Sequence, residues 1–304
     1  MNGAFIMEKR QYGKTDMQVS VLGFGGAEIG FEEATPDTVG RLLSDALDAG
    51  LNVIDTAECY MNSEELIGNA VGSRRDEFHL FTKCGHPESP GVGDWRPESL
   101  LQSIERSLKR LHTDRVDLVH LHSCSEAELR KGDVIAALQK AREKGYTRYL
   151  GYSGDAQAAK YAVECGAFDS LQTSLSVFDQ QSIELTLPLA RERQMGVIAK
   201  RPIGNAVWRY PSRPDNTYHQ PYWDRAQKLK YDFASGDARQ AAAIALRFTL
   251  SVPGVCTAIV GTKHPGRWRE NAALLEAGLL PKDQFEPIRA RWHECAESNW
   301  IGQV

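Results

Sequence analysis

Asp55 closes the apolar run Asn52-Val53-Ile54-Asp55, and Tyr60 follows five positions later in Thr56-Ala57-Glu58-Cys59-Tyr60. The next apolar run ends on Lys83, and a later one, Val116-Asp117-Leu118-Val119-His120-Leu121-His122, ends on His122. Tyr, Lys, Asp and His gathered on one rim would do proton-transfer chemistry. A free phenol titrates at about 10, too high for an efficient acid or base at neutral pH unless a nearby cation draws it down. Lys83 is expected to supply that pull, Asp55 to keep the lysine charged and in place, and His122 to serve as a second donor. Taken singly, Asp55 and Lys83 also suit an ordinary buried ion pair, and Tyr60 an ordinary rim aromatic.

These groups converge only if the chain presents strand ends to one another. Short runs rich in Val, Ile and Leu alternate with longer stretches of helical periodicity, the order of a parallel sheet with crossover helices. The expected strands are Val19–Gly23, Asn52–Asp55, His79–Lys83, Val116–His122, Arg148–Tyr152, Ser170–Ser174, Gly196–Ala199 and Thr257–Val260. Eight such units in an α/β chain of 304 residues predict one (β/α)8 TIM-barrel domain over residues 1–304. Thr35-Pro36-Asp37 and Arg96-Pro97-Glu98 open helices, while Gly50, Gly145 and Gly196 are read as helix stops. Gln11–Asp16, with Gly13, predicts an N-terminal β-hairpin that plugs the barrel floor, and Pro281–Ser298 an extra C-terminal helix. Active sites of such barrels lie at the C-terminal strand ends, where Asp55, Lys83 and His122 fall.

Composition narrows the partner. With 36 basic against 40 acidic residues there is no extended basic face for nucleic acid or an anionic membrane, which leaves a small molecule. No apolar run approaches the roughly 18 residues of a membrane span, and Met1 to Gln11 is too polar for a signal peptide, so a cytoplasmic protein is expected. The six cysteines are widely spaced and read as reduced thiols. Cys59 and Cys84 flank Tyr60 and Lys83, but as small filler, since nothing adjacent in sequence looks like a base for a nucleophile. His120 and His122 also spell the His-x-His of barrel metallohydrolases, yet no further acids or histidines at strand ends complete a site, and no metal is expected.

In order along the chain, several segments resemble the aldo-keto reductase superfamily of NADPH-dependent (β/α)8 barrels. Asp55-Thr56-Ala57-Glu58-Cys59-Tyr60 followed by Ser63-Glu64-Glu65-Leu66-Ile67-Gly68 resembles the acid and tyrosine motif, Phe81-Thr82-Lys83 the lysine strand, and Val116–His122 the strand ending on the catalytic histidine. Gly151-Tyr152-Ser153 and Leu171-Gln172-Thr173-Ser174 are similar to the strand ends that hold a nicotinamide carboxamide through Ser153 and Gln172. Gly261-Thr262-Lys263-His264-Pro265-Gly266-Arg267-Trp268-Arg269-Glu270-Asn271 resembles the adenosine-binding signature, which implicates Thr262, Lys263, Arg267, Glu270 and Asn271. That segment also joins a strand end to a helix start, and Lys263 and Arg267 suit a ribose 2′-phosphate, which favours NADPH over NADH. Alone, it would also suit a solvated basic turn.

The resemblance implies reversible reduction of an aldehyde, ketone or sugar carbonyl with Tyr60 as general acid, and His122 favours carbonyl over double-bond reduction. This sequence departs from the pattern at three places. Gly154 stands where Asn is common, Gly261 where Lys is common, and Ala199-Lys200-Arg201 where many members place an aromatic ring against the nicotinamide. Lys200 and Arg201 are expected to meet the pyrophosphate instead. The alternative from another class is a slow, NADPH-binding regulatory or cofactor-sensing subunit. Trp95, Trp208 and Trp223 are candidates for the substrate wall, the last two within 206–225, which reads either as a lid over the mouth or as packing on the barrel's side. Substrate identity, physiological direction and oligomeric state are not written in these residues.

Overall fold

The computed structural model describes residues 7–87 and 91–303. Residues 1–6 of the stretch read above as too polar for a leader, and positions 88–90 and 304 of the 1–304 domain, lie outside the described residues. Two short strands, β1 (Lys9–Gln11) and β2 (Gln18–Ser20), form an antiparallel hairpin with Arg10 opposite Val19. There follow β3 (Leu22–Gly25), β4 (Val53–Asp55), β5 (His79–Cys84), β6 (Val116–His122), β7 (Thr147–Ser153), β8 (Ser170–Ser174), β9 (Gly196–Lys200) and β10 (Thr257–Gly261). Among the described residues these eight are parallel and close into a barrel, β10 pairing with β3. The helix Lys282–Cys295 packs after the last strand, within the predicted Pro281–Ser298.

The predicted strand Val19–Gly23 is two strands. The chain breaks at Val21, whose N–H bonds to the Glu8 carbonyl at 3.0 Å, while Asn52 accepts from Ser20 N–H at 2.6 Å and donates to the Gln18 carbonyl at 2.7 Å. Asn52 therefore clamps the corner where hairpin becomes barrel.

The barrel interior is layered because alternate strand residues point the same way. Val53, Phe81, Leu118 and Ile198 form a floor layer with Tyr12 and Met17, which the hairpin inserts from below. Gly196 belongs to this arrangement: it opens β9 under the Tyr12 ring, where any side chain would strike the phenol, and is not a helix stop. The preceding helix, Leu187–Glu192, is ended instead by Gln194 at φ 55°. Two residues further along each floor strand come Asp55, Lys83, His120 and Lys200, so a charged layer sits directly above an apolar one. Outside, amphipathic helices cover the sheet. Pro36–Asp48, for example, buries Val39, Leu42, Leu43, Ala46 and Leu47 at helical spacing, with Thr35 capping its first turn.

Candidate active site

Tyr60 is set by a turn with little freedom. Thr56 N–H bonds to the Phe81 carbonyl at 2.9 Å, Glu58 N–H to the Lys83 carbonyl at 3.2 Å and Tyr60 N–H to the Ala57 carbonyl at 3.1 Å. Glu58 then anchors the turn to the helix Pro97–Arg110, accepting from Arg106 at 2.5 and 3.1 Å and from Ser103. The result is a partly buried Tyr60 whose ring has the Lys83 ammonium 4.8 Å from its centre and the His122 ring edge-on at 5.8 Å. Lys83, fully buried, donates to Asp55 at 2.5 Å and to the Thr56 carbonyl at 2.7 Å. Asp55, Lys83 and His122, read at strand ends, and Tyr60, read in the loop after the second strand, thus converge.

Their protonation differs in one respect from the sequence expectation. Burial pushes Tyr60 up to about 12, further than Lys83 pulls it down, so the phenol is held protonated rather than softened. Burial also opposes the lysine ammonium, but Asp55 outweighs it and raises the Lys83 pKa. His122 is held well below the usual imidazole range by burial first, then by Lys83 and His86, and is neutral at pH 7. Cys59, read as having no base nearby, lies 3.5 Å from His122 Nδ1 through its sulfur. Burial lifts that thiol to about 11, so it is no nucleophile. Donation from that protonated thiol to Nδ1 would select the tautomer that carries its proton on Nε2, free to donate.

The His-x-His pair does not converge. His120 lies in the charged layer below and bonds through Nε2 to Ser170 Oγ at 3.1 Å, and that hydroxyl in turn meets Tyr12 Oη at 2.5 Å. Trp95 does reach the site, through a row of rings: its edge meets His86 at 5.3 Å, and His86 meets His122 at 5.3 Å. Trp208 rests instead on Phe178, 6.0 Å between ring centres, and Trp223 donates its indole N–H to the Tyr210 carbonyl at 3.3 Å. From the same 206–225 segment it is Tyr218 that turns toward the mouth, its hydroxyl 2.9 Å from Arg201 Nη1. The segment is a 3-10 turn (Gly204–Arg209), then irregular chain, then the start of the helix Gln220–Leu229.

The expected carboxamide holders are joined to the acid. Ser153 donates to Gln172 Oε1 at 3.0 Å, and Gln172 Nε2 donates to Asp55 at 2.9 Å, leaving one amide N–H and one lone pair for a ligand. Gly154 is glycine because a Cβ there would sit 2.6 Å from the Tyr152 hydroxyl. Lys200 and Arg201 both face Asp155, at 3.0 and 3.6 Å, and both approach the Gln303 carbonyl. Asp155 also accepts from Thr173 at 2.8 Å and from Ser174 N–H at 2.6 Å, and lies below the usual carboxylate range because the two cations outweigh its burial. Beyond β10, Thr262 Oγ1 accepts from His264 N–H at 3.1 Å, Lys263 pairs with Glu32 at 3.0 Å and Arg267 with Glu270 at 3.1 Å.

The family model for the aldo/keto reductase family matches residues 21–293. The chain belongs to that family. It is 28% identical over 294 residues to the L-galactose dehydrogenase of Arabidopsis thaliana, covering 91% of each chain. It is 27% identical over 302 residues to the uncharacterized oxidoreductase YqkF of Bacillus subtilis (strain 168), covering 93% of this chain and 96% of that one. The holo form of the aldo-keto reductase AKR11C1 from Bacillus halodurans superposes with a TM-score of 0.83 at 25% identity, over 97% and 99% of the two chains.

In this aldo/keto reductase the donor set fits a dinucleotide. The Asn205 and Gln303 side-chain amide nitrogens are buried with no partner among the described residues, the Gln303 backbone carbonyl lies against the Lys200 and Arg201 cations, and the half-buried Lys263 and exposed Arg267 follow β10. Three contributors escaped the sequence reading. His86 stands three positions past Lys83 and beyond its strand. Asp155 lies two past Ser153, and its value depends on Lys200 and Arg201 meeting it across the mouth. Gln303 belongs to a tail that no local pattern places. Only Asp155, a lone acid just past a strand end, carried a readable signal.

Proposed function

We propose that this oxidoreductase interconverts a small carbonyl compound, an aldehyde, ketone or sugar, and its alcohol, using NADPH in preference to NADH. When bound, the nicotinamide dinucleotide supplies or accepts the hydride. Ser153 and Gln172 would hold its carboxamide, Arg201 its neighbouring phosphates, and Thr262, Lys263, Arg267, Glu270 and Asn271 its adenosine half. One observation carries the reading: Tyr60 and His122 stand edge to face at 5.8 Å with the buried Lys83 4.8 Å from the tyrosine ring.

A carbonyl oxygen between Tyr60 and His122 receives two hydrogen bonds. His122, neutral, donates from Nε2 and stabilises charge building on the oxygen. Tyr60, protonated at neutral pH, gives up its proton as that charge appears, and Lys83 stabilises the phenolate left behind. In the reverse direction Tyr60 recovers the proton from the alcohol. The likeness to a sugar dehydrogenase supports a hydroxylated substrate, as does the Trp95–His86 wall, where an aromatic face borders a polar ring. The whole chain, residues 1–304, is taken as one domain serving this site.

The test follows NADPH absorbance with a panel of aldehydes, ketones and sugars, and NADP+ reduction with the matching alcohols, for wild type and Tyr60→Phe. Turnover that falls at least about 10²-fold in the variant, with NADPH binding retained, is expected. Tight NADPH binding with no turnover in either direction would defeat the catalytic reading.

A further inference from the structure

We propose that Lys200 gives the barrel mouth a net positive charge that makes it bind reduced nicotinamide more tightly than oxidised nicotinamide. The inference rests on the function proposed above. Lys200 follows Ile198 by two residues on β9, so its side chain projects into the same layer as Asp55 and Lys83, directly over the floor. It is almost fully buried, at 9% exposure, and lies within electrostatic reach of Lys83, Asp55 and His122.

The charges in and beside this layer do not cancel. Asp55 balances Lys83 at 2.5 Å, whereas Lys200 and Arg201 share the single carboxylate of Asp155, at 3.0 and 3.6 Å. The other groups near Lys200, namely His120, His122 and the Gln303 carbonyl, carry no charge at neutral pH. Three cations against two carboxylates leave one positive charge under the place where a ring must lie to exchange hydride with a carbon beside Tyr60 and His122. The two redox states of that ring differ by one positive charge. A buried cation therefore penalises the oxidised form and leaves the reduced form untouched.

This shapes the reaction in a definite way. The oxidised dinucleotide leaves more readily after a carbonyl has been reduced, while the bound equilibrium is drawn toward the carbonyl and the reduced dinucleotide. The site is thereby tuned by charge where an aromatic ring would act by stacking alone.

The experiment measures dissociation constants for NADPH, by its fluorescence, and for NADP+, by displacement of NADPH, on wild type, Lys200→Met and Lys200→Arg at pH 7. The ratio Kd(NADP+)/Kd(NADPH) should fall on the order of tenfold in Lys200→Met and stay near wild type in Lys200→Arg, which keeps the cation. An unchanged ratio in Lys200→Met overturns the inference. Should that variant not fold, wild type alone decides between pH 7 and 9.5. Burial, opposed by Asp155, brings Lys200 down to about 8. Lys83 stays charged and His120 and His122 neutral throughout that window. The ratio must then fall as Lys200 loses its proton, and a ratio that stays flat across the midpoint of that titration, followed by the NMR shift of its Nζ, refutes the charge effect. Wild type that binds neither nucleotide overturns the proposed function itself.

Discussion

Replacing Lys83 with Met tests whether the ion pair beneath Tyr60 is a coupled unit. Both side chains are at most 2% exposed, and the ammonium makes two bonds, 2.5 Å to Asp55 and 2.7 Å to the Thr56 carbonyl. Without it, Asp55 keeps only the Gln172 N–H at 2.9 Å, one neutral donor for a buried carboxylate. Removing one partner of such a pair costs about 3–5 kcal/mol, because the other charge is left buried and uncompensated. Asp55→Asn strands the lysine in the same way. The double variant Lys83→Met with Asp55→Asn carries no charge at these two positions and should lose only about 1–2 kcal/mol, for unmet hydrogen bonds and altered packing. The three variants and wild type form a cycle with a coupling energy of about 3 kcal/mol or more, readable from urea unfolding followed by tryptophan fluorescence at pH 7. Additive losses, with the double variant as unstable as the sum of the singles, would refute the claim that the two charges hold each other. The same cycle has a catalytic counterpart, since Lys83 lowers the cost of ionising Tyr60. At 4.8 Å and an effective dielectric of about 20 that interaction is about 3 kcal/mol, so even the well-folded double variant should lose on the order of 10² in turnover.

Two further perturbations probe separate parts of the molecule. Glu32 holds Lys263 at 3.0 Å on the rim and sets a carboxylate where a 2′-phosphate is proposed to bind. Glu32→Gln should tighten NADPH by up to about fivefold and leave NADH unchanged, as measured by titration with each, and equal effects on both would remove Lys263 from phosphate recognition. Asp117 is buried between Arg75 at 2.8 Å and Arg148 at 2.9 Å and accepts Leu80 N–H at 2.9 Å. Burial raises its pKa, but the arginines and the N–H outweigh that and hold it below its ordinary 3.8. A lowered carboxylate contributes stability that is present above 3.8 and lost as pH falls through the folded value. Asp117→Asn should therefore cost about 2 kcal/mol at pH 7 and flatten the stability profile below pH 4 in denaturant titrations. A variant with an unchanged acid limb would contradict that assignment.

Strand order, closure and the convergence of Asp55, Tyr60, Lys83 and His122 were legible because each depends on local pattern. Val116–His122 and Ser170–Ser174 are apolar runs between turn signals, and their ends coincide with β6 and β8. What escaped depends on partners far along the chain. The break at Val21 is set by Glu8 and by the Asn52 clamp, and Gly196 reads as a helix stop until Tyr12 is seen seated on it. The Tyr60 pKa needed the balance between burial and a cation, which sequence names but cannot weigh. Lys200 and Arg201 read as cations aimed at a pyrophosphate, and nothing in the local sequence brings Asp155 and Gln303 to them.

The floor plug also sets an order of events during synthesis. Tyr12 leaves the ribosome early, yet its hydroxyl partner Ser170 lies 158 positions later, and Lys14 N–H waits for the Gln194 carbonyl. Such distant pairings are slow to form, and the nascent chain must carry Tyr12 and Met17 without a seat until β8 and β9 exist. Closure of β10 on β3 comes later still. A chain stalled before β9 is thus left with an open sheet edge and an unburied aromatic at its start, the features that chaperones and proteases recognise in unfinished chains.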